Sequence, residues 1–517
     1  MNFQFYNFSI FKRIIFSLIF LSGFLLWGNA QAASVTVCDS GNGCDYTTIA
    51  AAINAVTTGT ANTITVNSPY SGNERVTVDK AGASDANRLV IQAGTGYVQG
   101  STYPKTKGFI VTSAYVTVQG FEMTACGDTT CGIAGADYVN FFYNYVHGSD
   151  GNEGNDAWEI GTDETFRSYV KINNNKITSD VGGVALIKLV ANYSIADSNE
   201  MYDCEDCDAF NFWGHDSTIS NNYIHGFTIV DQPRRHSDCF QTFGDGGIVV
   251  ANNWIIEKNV AVSPGTTGVD SEGVCLVSDG TCGDMQPFNL SYDGEVGLHD
   301  ITFRNNIWVN YGTQGNVGVP NTKFYNNTFI NVAWINVNAG ISFAYNPPAW
   351  DDTGCVVKNN LFVQNFNQDP FVVDARITHN NNYVTRYNGA SPGDPVTFYA
   401  VTGWSETGGV NGGDPKLTSL TLGTCPGDWS ESSDCTQINC GTYDFDNHTC
   451  SNFDLSLLTD SPAKDVGANL TSVWADATDI IDTARPQGNA WDIGAYEYVS
   501  ESADTTAPAA PTSLSVS

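Results

Sequence analysis

Asn326-Asn327-Thr328-Phe329, Asn359-Asn360-Leu361-Phe362 and Asn381-Asn382-Tyr383-Val384 are three copies of one phrase, paired asparagines followed by β-branched, aliphatic or aromatic residues. Upstream it recurs as Asn305-Asn306-Ile307-Trp308, Asn252-Asn253-Trp254-Ile255 and Asn221-Asn222-Tyr223-Ile224. Looser copies are Ser198-Asn199-Glu200-Met201, Asn174-Asn175-Lys176-Ile177 and Tyr143-Asn144-Tyr145-Val146. Measured at the second position, the intervals are 31, 24, 23, 31, 53, 21, 33 and 22 residues, and the longest reads as two coils plus an insertion. Short strands at such a period, with no 3.6-residue periodicity, predict a stacked β coil. Asparagine tolerates left-handed backbone, and its amide bonds neighbours above and below, so one Asn per corner predicts a ladder. Leucine-rich repeats would show leucine at fixed offsets, and propeller blades would be longer.

Composition agrees with one large folded stack. The 517 residues are 42% hydrophobic and 12% aromatic, enough to bury a core. Acidic residues number 55 against 22 basic, for a net charge of −33. That balance excludes a nucleic-acid binder, which needs a basic footprint, and docking on anionic lipid. Lys12-Arg13, the apolar run 14–27 and Ala30-Gln31-Ala32 form a signal peptide over residues 1–32. The mature chain is therefore expected to begin near Ala33, secreted or at the cell surface, with no membrane attachment after cleavage and as a monomer. All fourteen cysteines follow the signal, as suits an oxidising compartment. Local disulfides are expected for Cys38/Cys44, Cys126/Cys131 and Cys275/Cys282, and within the group Cys425, Cys435, Cys440 and Cys450. Cys204-x-x-Cys207 lacks the second pair that a zinc site needs.

Both ends of the stack carry further signals. Thr48-Ile49-Ala50-Ala51-Ala52-Ile53, within 45–56, predicts an amphipathic helix covering the first coil. Near the far end stand Ser461-Pro462-Ala463-Lys464-Asp465-Val466-Gly467, Ala484-Arg485-Pro486 and Asp492-Ile493-Gly494-Ala495-Tyr496-Glu497-Tyr498. With the asparagine phrase, these segments resemble bacterial members of the pectate-lyase-like superfamily over roughly residues 35–498. The resemblance implies an all-β, right-handed parallel β-helix with an N-terminal capping helix, acting on a polysaccharide. The expected division is 33–60 cap, 61–400 β-helix, 401–499 disulfide-rich C-terminal coils and cap, and 500–517 linker. The linker resembles the start of a fibronectin type III module. Because the superfamily includes lyases, hydrolases, esterases, epimerases and adhesins, function must come from the site.

The site is sought where coils depart from regularity. Asp208-Ala209-Phe210-Asn211-Phe212-Trp213 aligns with Asp238-Cys239-Phe240-Gln241-Thr242-Phe243, and Ile187-Lys188-Leu189 falls in the same register one coil earlier. Strand alternation turns Ile187, Phe210 and Phe240 inward and puts Lys188, Asn211 and Gln241 in one outward column. Asp206 and His236 are expected in a second column, with Asp208 and Asp238 at the strand starts. Arg234-Arg235-His236 is the densest cationic cluster, and His215 and an exposed Trp213 complete the set.

Two chemistries could use this constellation. In a β-eliminating lyase, Arg234 or Arg235 binds the uronate and Lys188 or His236 is the base. In an inverting hydrolase, Asp208 with Asp238, or Asp206 with Asp238, would be acid and base. A non-catalytic glycan-binding protein would need neither. Asp206-Cys207-Asp208 resembles the paired-acid strand of polygalacturonase-like hydrolases, but their G-H-G and R-I-K segments are absent. The R-x-P-x-x-R segment of pectate lyases and the D-P-H signature of alginate epimerases are absent as well. Lysine and arginines beside the carboxylates favour the lyase. Asp203, Glu205 and Asp206 are the candidate calcium ligands, through carboxylate oxygens; Asp208 and Asp238 could instead cap turns.

Overall fold

Asparagine corners divide the chain into coils of three short strands, and successive coils pair in parallel. The computed structural model describes residues 33–500 except 40–42, 68–69, 73, 96, 100, 125, 127–129, 148–156, 162–164, 180–184, 205–206, 228–236, 244–250, 264–285, 292–296, 312–314, 333–334, 337–352, 365–376, 388–395 and 421–437. One coil comprises Ile187–Asn192, Ile195–Asp197 and Glu200–Tyr202; the next comprises Phe210–His215, Thr218–Ser220 and Tyr223–His225. Equivalent strands form three faces. Sheet I runs from Ser34–Val37 to Thr378–Asn380, sheet II from Val76–Val78 to Ile335–Asn336, and sheet III from Lys105–Thr106 to Val410–Asn411. Sheets I and II are continuous because Phe210–His215 bends across both, pairing with Phe240–Phe243 and with Ala251–Glu257. Phe398–Tyr399, at the end of sheet III, pairs antiparallel. The chain is a parallel β-helix.

Period-two alternation fills the interior. Trp158, Ile187, Phe210 and Phe240 occupy one register and are fully buried. Elsewhere inward rings stack coil upon coil: Phe303 on Phe324 at 4.9 Å, Trp308 on Phe329 at 4.8 Å and Phe329 on Phe362 at 4.8 Å. These separations match the spacing of hydrogen-bonded strands, so the backbone repeat itself dictates ring contact.

The ladder is continuous and divides two tasks between the two positions of the phrase. The first residue adopts left-handed backbone: Asn174, Asn221, Asn305, Asn326, Asn359 and Asn381 all have φ between 54° and 59°. The second residue, buried, donates its amide to the next coil's asparagine. The chain of donors runs Asn144, Asn175, Asn199, Asn222, Asn259, Asn306, Asn327, Asn360, Asn382, each step 2.9–3.1 Å. Glu406 ends it, accepting from Asn382 Nδ2 at 3.0 Å. One rung differs from the expectation. Asn259 holds the position assigned to Asn253, with Lys258 as the left-handed residue (φ 58°). Asn253 is also left-handed, at φ 53°, but its exposed amide turns to Asp216. Its neighbours Ala251–Glu257 form one long strand of sheet I.

The residues 438–498 run along the outside of sheet III and bury a second apolar core there, with Val260, Ile307, Leu361 and Tyr383 against Leu455, Ile480, Ile493 and Tyr496. First-position asparagines hold this segment by its backbone. Asn305, Asn326, Asn359 and Asn381 donate to the carbonyls of Thr478, Asp492, Ala468 and Val466. The buried Arg485 reaches Glu497 Oε2 at 2.9 Å and Asn305 Oδ1 at 3.3 Å. Among the described residues the single helix is Ile49–Ala55, shorter than the expected 45–56. Thr48 caps it by accepting from Ala51 N–H, and Ile49, Ala52 and Ile53 are its buried face. The disulfides are Cys38–Cys44, Cys126–Cys131, Cys204–Cys207 and Cys440–Cys450. Cys239 and Cys355 are buried outside them; Cys275, Cys282, Cys425 and Cys435 lie outside the described residues. No helix among the described residues is long and apolar enough to cross a membrane.

Candidate functional site

The outward column of sheet II has the expected register: Lys188 faces Asn211, and Asn211 faces Gln241. It is longer than the sequence alone indicated. Glu159 precedes Lys188, and Asn289 and then Asn316 follow Gln241. Six polar residues thus lie on consecutive strands, over roughly 24 Å at the strand spacing of a sheet. Glu159 was findable from Trp158-Glu159-Ile160, whose alternation is plain. Asn289 was not, because the long segment 244–288 separates it from Gln241 and hides the register.

Hydrogen bonds tie this column together. Asn211 is 8% exposed; with its amide oxygen and nitrogen assigned so that both find partners, it donates to Asp208 Oδ2 and to Gln241 Oε1, both at 3.1 Å. Asp208 Oδ1 accepts the backbone N–H of Asp238 at 2.7 Å, so this carboxylate also locks one coil to the next. Asp238 is fully buried, with Oδ2 accepting from Asn289 at 3.4 Å. A fully buried carboxylate is poorly sited to activate water at a glycosidic bond, which weighs against Asp208 and Asp238 as an acid–base pair. Asn316 donates to Gln286 Oε1 at 3.1 Å.

Trp213 is not the exposed platform expected. It is 8% exposed, sits edge-on to Phe243 and donates Nε1–H to the Phe243 carbonyl at 2.9 Å. Strand twist and the bend after Trp213 turn the ring under Lys188, whose Nζ lies 6.0 Å from the ring centroid, a separation at the outer reach of cation–π attraction. His215 lies beyond the bend, in sheet I. It meets Asp216 Oδ2 at 2.7 Å and packs edge-on to Tyr193 at 5.0 Å, at the end of a ladder formed by Tyr115, Tyr138, Tyr169 and Tyr193. It therefore does not join the Lys188 column.

Glu205, Asp206, Arg234, Arg235 and His236 lie outside the described residues. Of the three candidate calcium ligands only Asp203 is described; it is exposed, at φ 48°, and its carbonyl accepts from Thr178 Oγ1 at 3.0 Å. Among the described residues no group of three or more His, Cys, Asp or Glu side chains converges as a metal site.

A second polar array, on sheet III, escaped the sequence reading although the asparagine phrase contains it. Tyr145, Lys176, Glu200 and Tyr223 each directly follow a ladder asparagine and share one column. The residue after the ladder Asn faces out of sheet III, so the signal was the third position of the phrase, not its asparagines.

No family model and no curated protein matches the chain. Solved structures do. XylC, in complex with xylose, is 12% identical with TM-score 0.48, over 90% of this chain and 98% of that one. Pectate lyase Pel9A is 14% identical with TM-score 0.44, over 90% and 96%. A PL6 family polysaccharide lyase from Pseudopedobacter saltans is 13% identical with TM-score 0.40, over 73% and 97%. The fold assignment rests on the coils of this chain.

Proposed function

We propose that this chain is an exported, polysaccharide-active β-helix protein that cleaves a uronate-containing glycan by β-elimination on the outer face of sheet II. The observation that carries the reading is the unbroken polar column from Glu159 to Asn316, with Lys188 as its cation. Its length suits a run of several sugar residues, and its amides can bond hydroxyl groups as both donor and acceptor. In the reaction Lys188, as the neutral amine, takes the C5 proton; His236 is the other candidate for this base. The C–H electrons form the C4=C5 double bond and the C4–O bond breaks, the leaving oxygen taking a proton from water as the sugar departs. Arg234 and Arg235 neutralise the uronate carboxylate, which lowers the cost of the developing carbanion. Asp208 and Asn211 hold the strand geometry under the substrate.

The same reading includes a right-handed coil sense, the hand of nearly all parallel crossovers, and the helix Ile49–Ala55 as cap over the first coil. Export agrees with the four disulfides. The protein acts as a monomer. The test is a panel of pectate, alginate, chondroitin and neutral glycans, with and without EDTA, followed by unsaturated-uronate absorbance and by reducing ends. Unsaturated product from one acidic glycan, lost in Lys188→Ala, is the expected result. Reducing ends without unsaturation would establish a hydrolase instead, and retention in affinity electrophoresis without either product would establish a binding protein.

A further inference from the structure

The outer column of sheet III reads Lys105, Glu122, Tyr145, Lys176, Glu200, Tyr223 and then Val260, Ile307. From Val260 onward it is apolar except for the buried Thr328, and it lies under the C-terminal segment. Before Tyr223 it is polar. At the boundary the turn 441–445 leans over the sheet and closes one side of a cleft of about 520 Å³, lined among others by Tyr143, Lys176, Glu200, His225 and Thr442. That volume is within the range of small-ligand sites.

Charge within the cleft is already balanced. Glu200 accepts from Lys176 Nζ at 2.7 Å and meets His225 Nε2 at 3.3 Å. The arrangement repeats three coils earlier, where Glu122 meets Lys105 Nζ and His147 Nε2, both at 2.9 Å. Behind Glu200 stands a stack of rings, Tyr443 on Tyr223 at 4.2 Å, Tyr223 on His225 at 4.2 Å and His225 on Tyr202 at 5.6 Å. This stack gives the cleft a rigid wall. The rim is different: Tyr143 is 51% exposed and left-handed at φ 56°. Ladder corners in six later coils use asparagine at this position, so a bulky ring is not what the turn requires.

We propose that this cleft is a second saccharide-binding site that takes a neutral sugar unit, distinct from the column on sheet II. A sugar hydroxyl both donates and accepts; Glu200 and the Thr442 hydroxyl accept from it, and Lys176 Nζ, with one hydrogen bond to Glu200, retains donors for it. An anionic ligand would have to displace Glu200 from Lys176 and leave a carboxylate facing another in a partly dry cleft. A neutral unit needs no such exchange. Tyr143 offers its ring to the C–H face of the sugar.

Binding of xylohexaose, mannohexaose and hexagalacturonate to the full chain by isothermal titration calorimetry tests this. Tyr143→Asn removes the ring and installs the residue that neighbouring corners use, so the turn is kept. The expected result is binding of one neutral hexaose, weakened about tenfold or more in Tyr143→Asn and in Glu200→Gln, and unchanged in Lys188→Ala. No binding of either neutral hexaose overturns the proposal. So does binding that is lost in Lys188→Ala but kept in Tyr143→Asn, or tighter binding of hexagalacturonate that depends on Lys176. The readout is binding, so failure here leaves the β-elimination reading standing.

Discussion

Asn222 Nδ2 donates to Asn259 Oδ1 at 2.9 Å across 37 residues of sequence, and Asn259 donates in turn to Asn306 at 2.9 Å. The backbone N–H of Asn222 uses the same oxygen at 3.0 Å. Each ladder amide is therefore bonded on both sides within a buried corner, where an unmade bond is costly.

Asn259→Ala should lower stability by about 2–4 kcal/mol, because two donors of Asn222 and two acceptors, Asn306 Oδ1 and the Ile219 carbonyl, lose a buried hydrogen bond. Asn253→Gly, which keeps left-handed backbone at an exposed position, should change stability by no more than about 0.5 kcal/mol. Urea midpoints of the two variants check this. Equal losses would mean that Asn253 is a rung after all.

Lys188→Ala should reduce formation of unsaturated product by about 100-fold or more, the usual contribution of a positioned base. Its urea midpoint should stay close to that of the wild type, since the side chain is half-exposed. Lys188→Arg should not restore activity, because a guanidinium does not deprotonate in this range. Initial rates on the responsive glycan give the answer.

Trp213→Ala should destabilise by about 3–5 kcal/mol, as expected for a buried indole. Trp213→Phe should lose about 1 kcal/mol, the hydrogen bond to the Phe243 carbonyl. Were Trp213 a substrate platform only, Ala would leave thermal stability unchanged and raise KM alone.

His448 is buried, and desolvation pushes its pKa down from 6.5 to about 4. It therefore stays neutral in the folded chain while the unfolded chain takes up a proton. The stability this neutral imidazole supports is present above about pH 6.5 and is lost as pH falls toward 4, by an amount on the order of 3 kcal/mol. Its Nδ1 meets the Tyr443 hydroxyl at 2.8 Å, so the loss should loosen the C-terminal hairpin. His448→Gln should flatten unfolding midpoints between pH 6.5 and 4; an unchanged slope would overturn the assignment.

The sequence by itself determined the coil. Asn-Asn at a 21–33-residue interval specifies both a left-handed corner and a buried amide, and those two requirements are local enough to read in one chain. It also determined the register of Lys188, Asn211 and Gln241, because period-two alternation carries inward and outward through each short strand. Tertiary structure alone decided which asparagine is a rung when two compete: Asn259 wins over Asn253 because only its amide reaches Asn222 and Asn306 inside the corner. The burial of Trp213 and the departure of His215 to another sheet go with a bend within one strand at Gly214, whose φ of 101° suits glycine; the burial of Asp238 was set by packing against the next coil. The cleft at Glu200 depends on the C-terminal segment returning along sheet III, more than 200 residues away in sequence. Such contacts are set by which outer faces remain apolar once the stack has formed, and that is a property of neighbouring coils together.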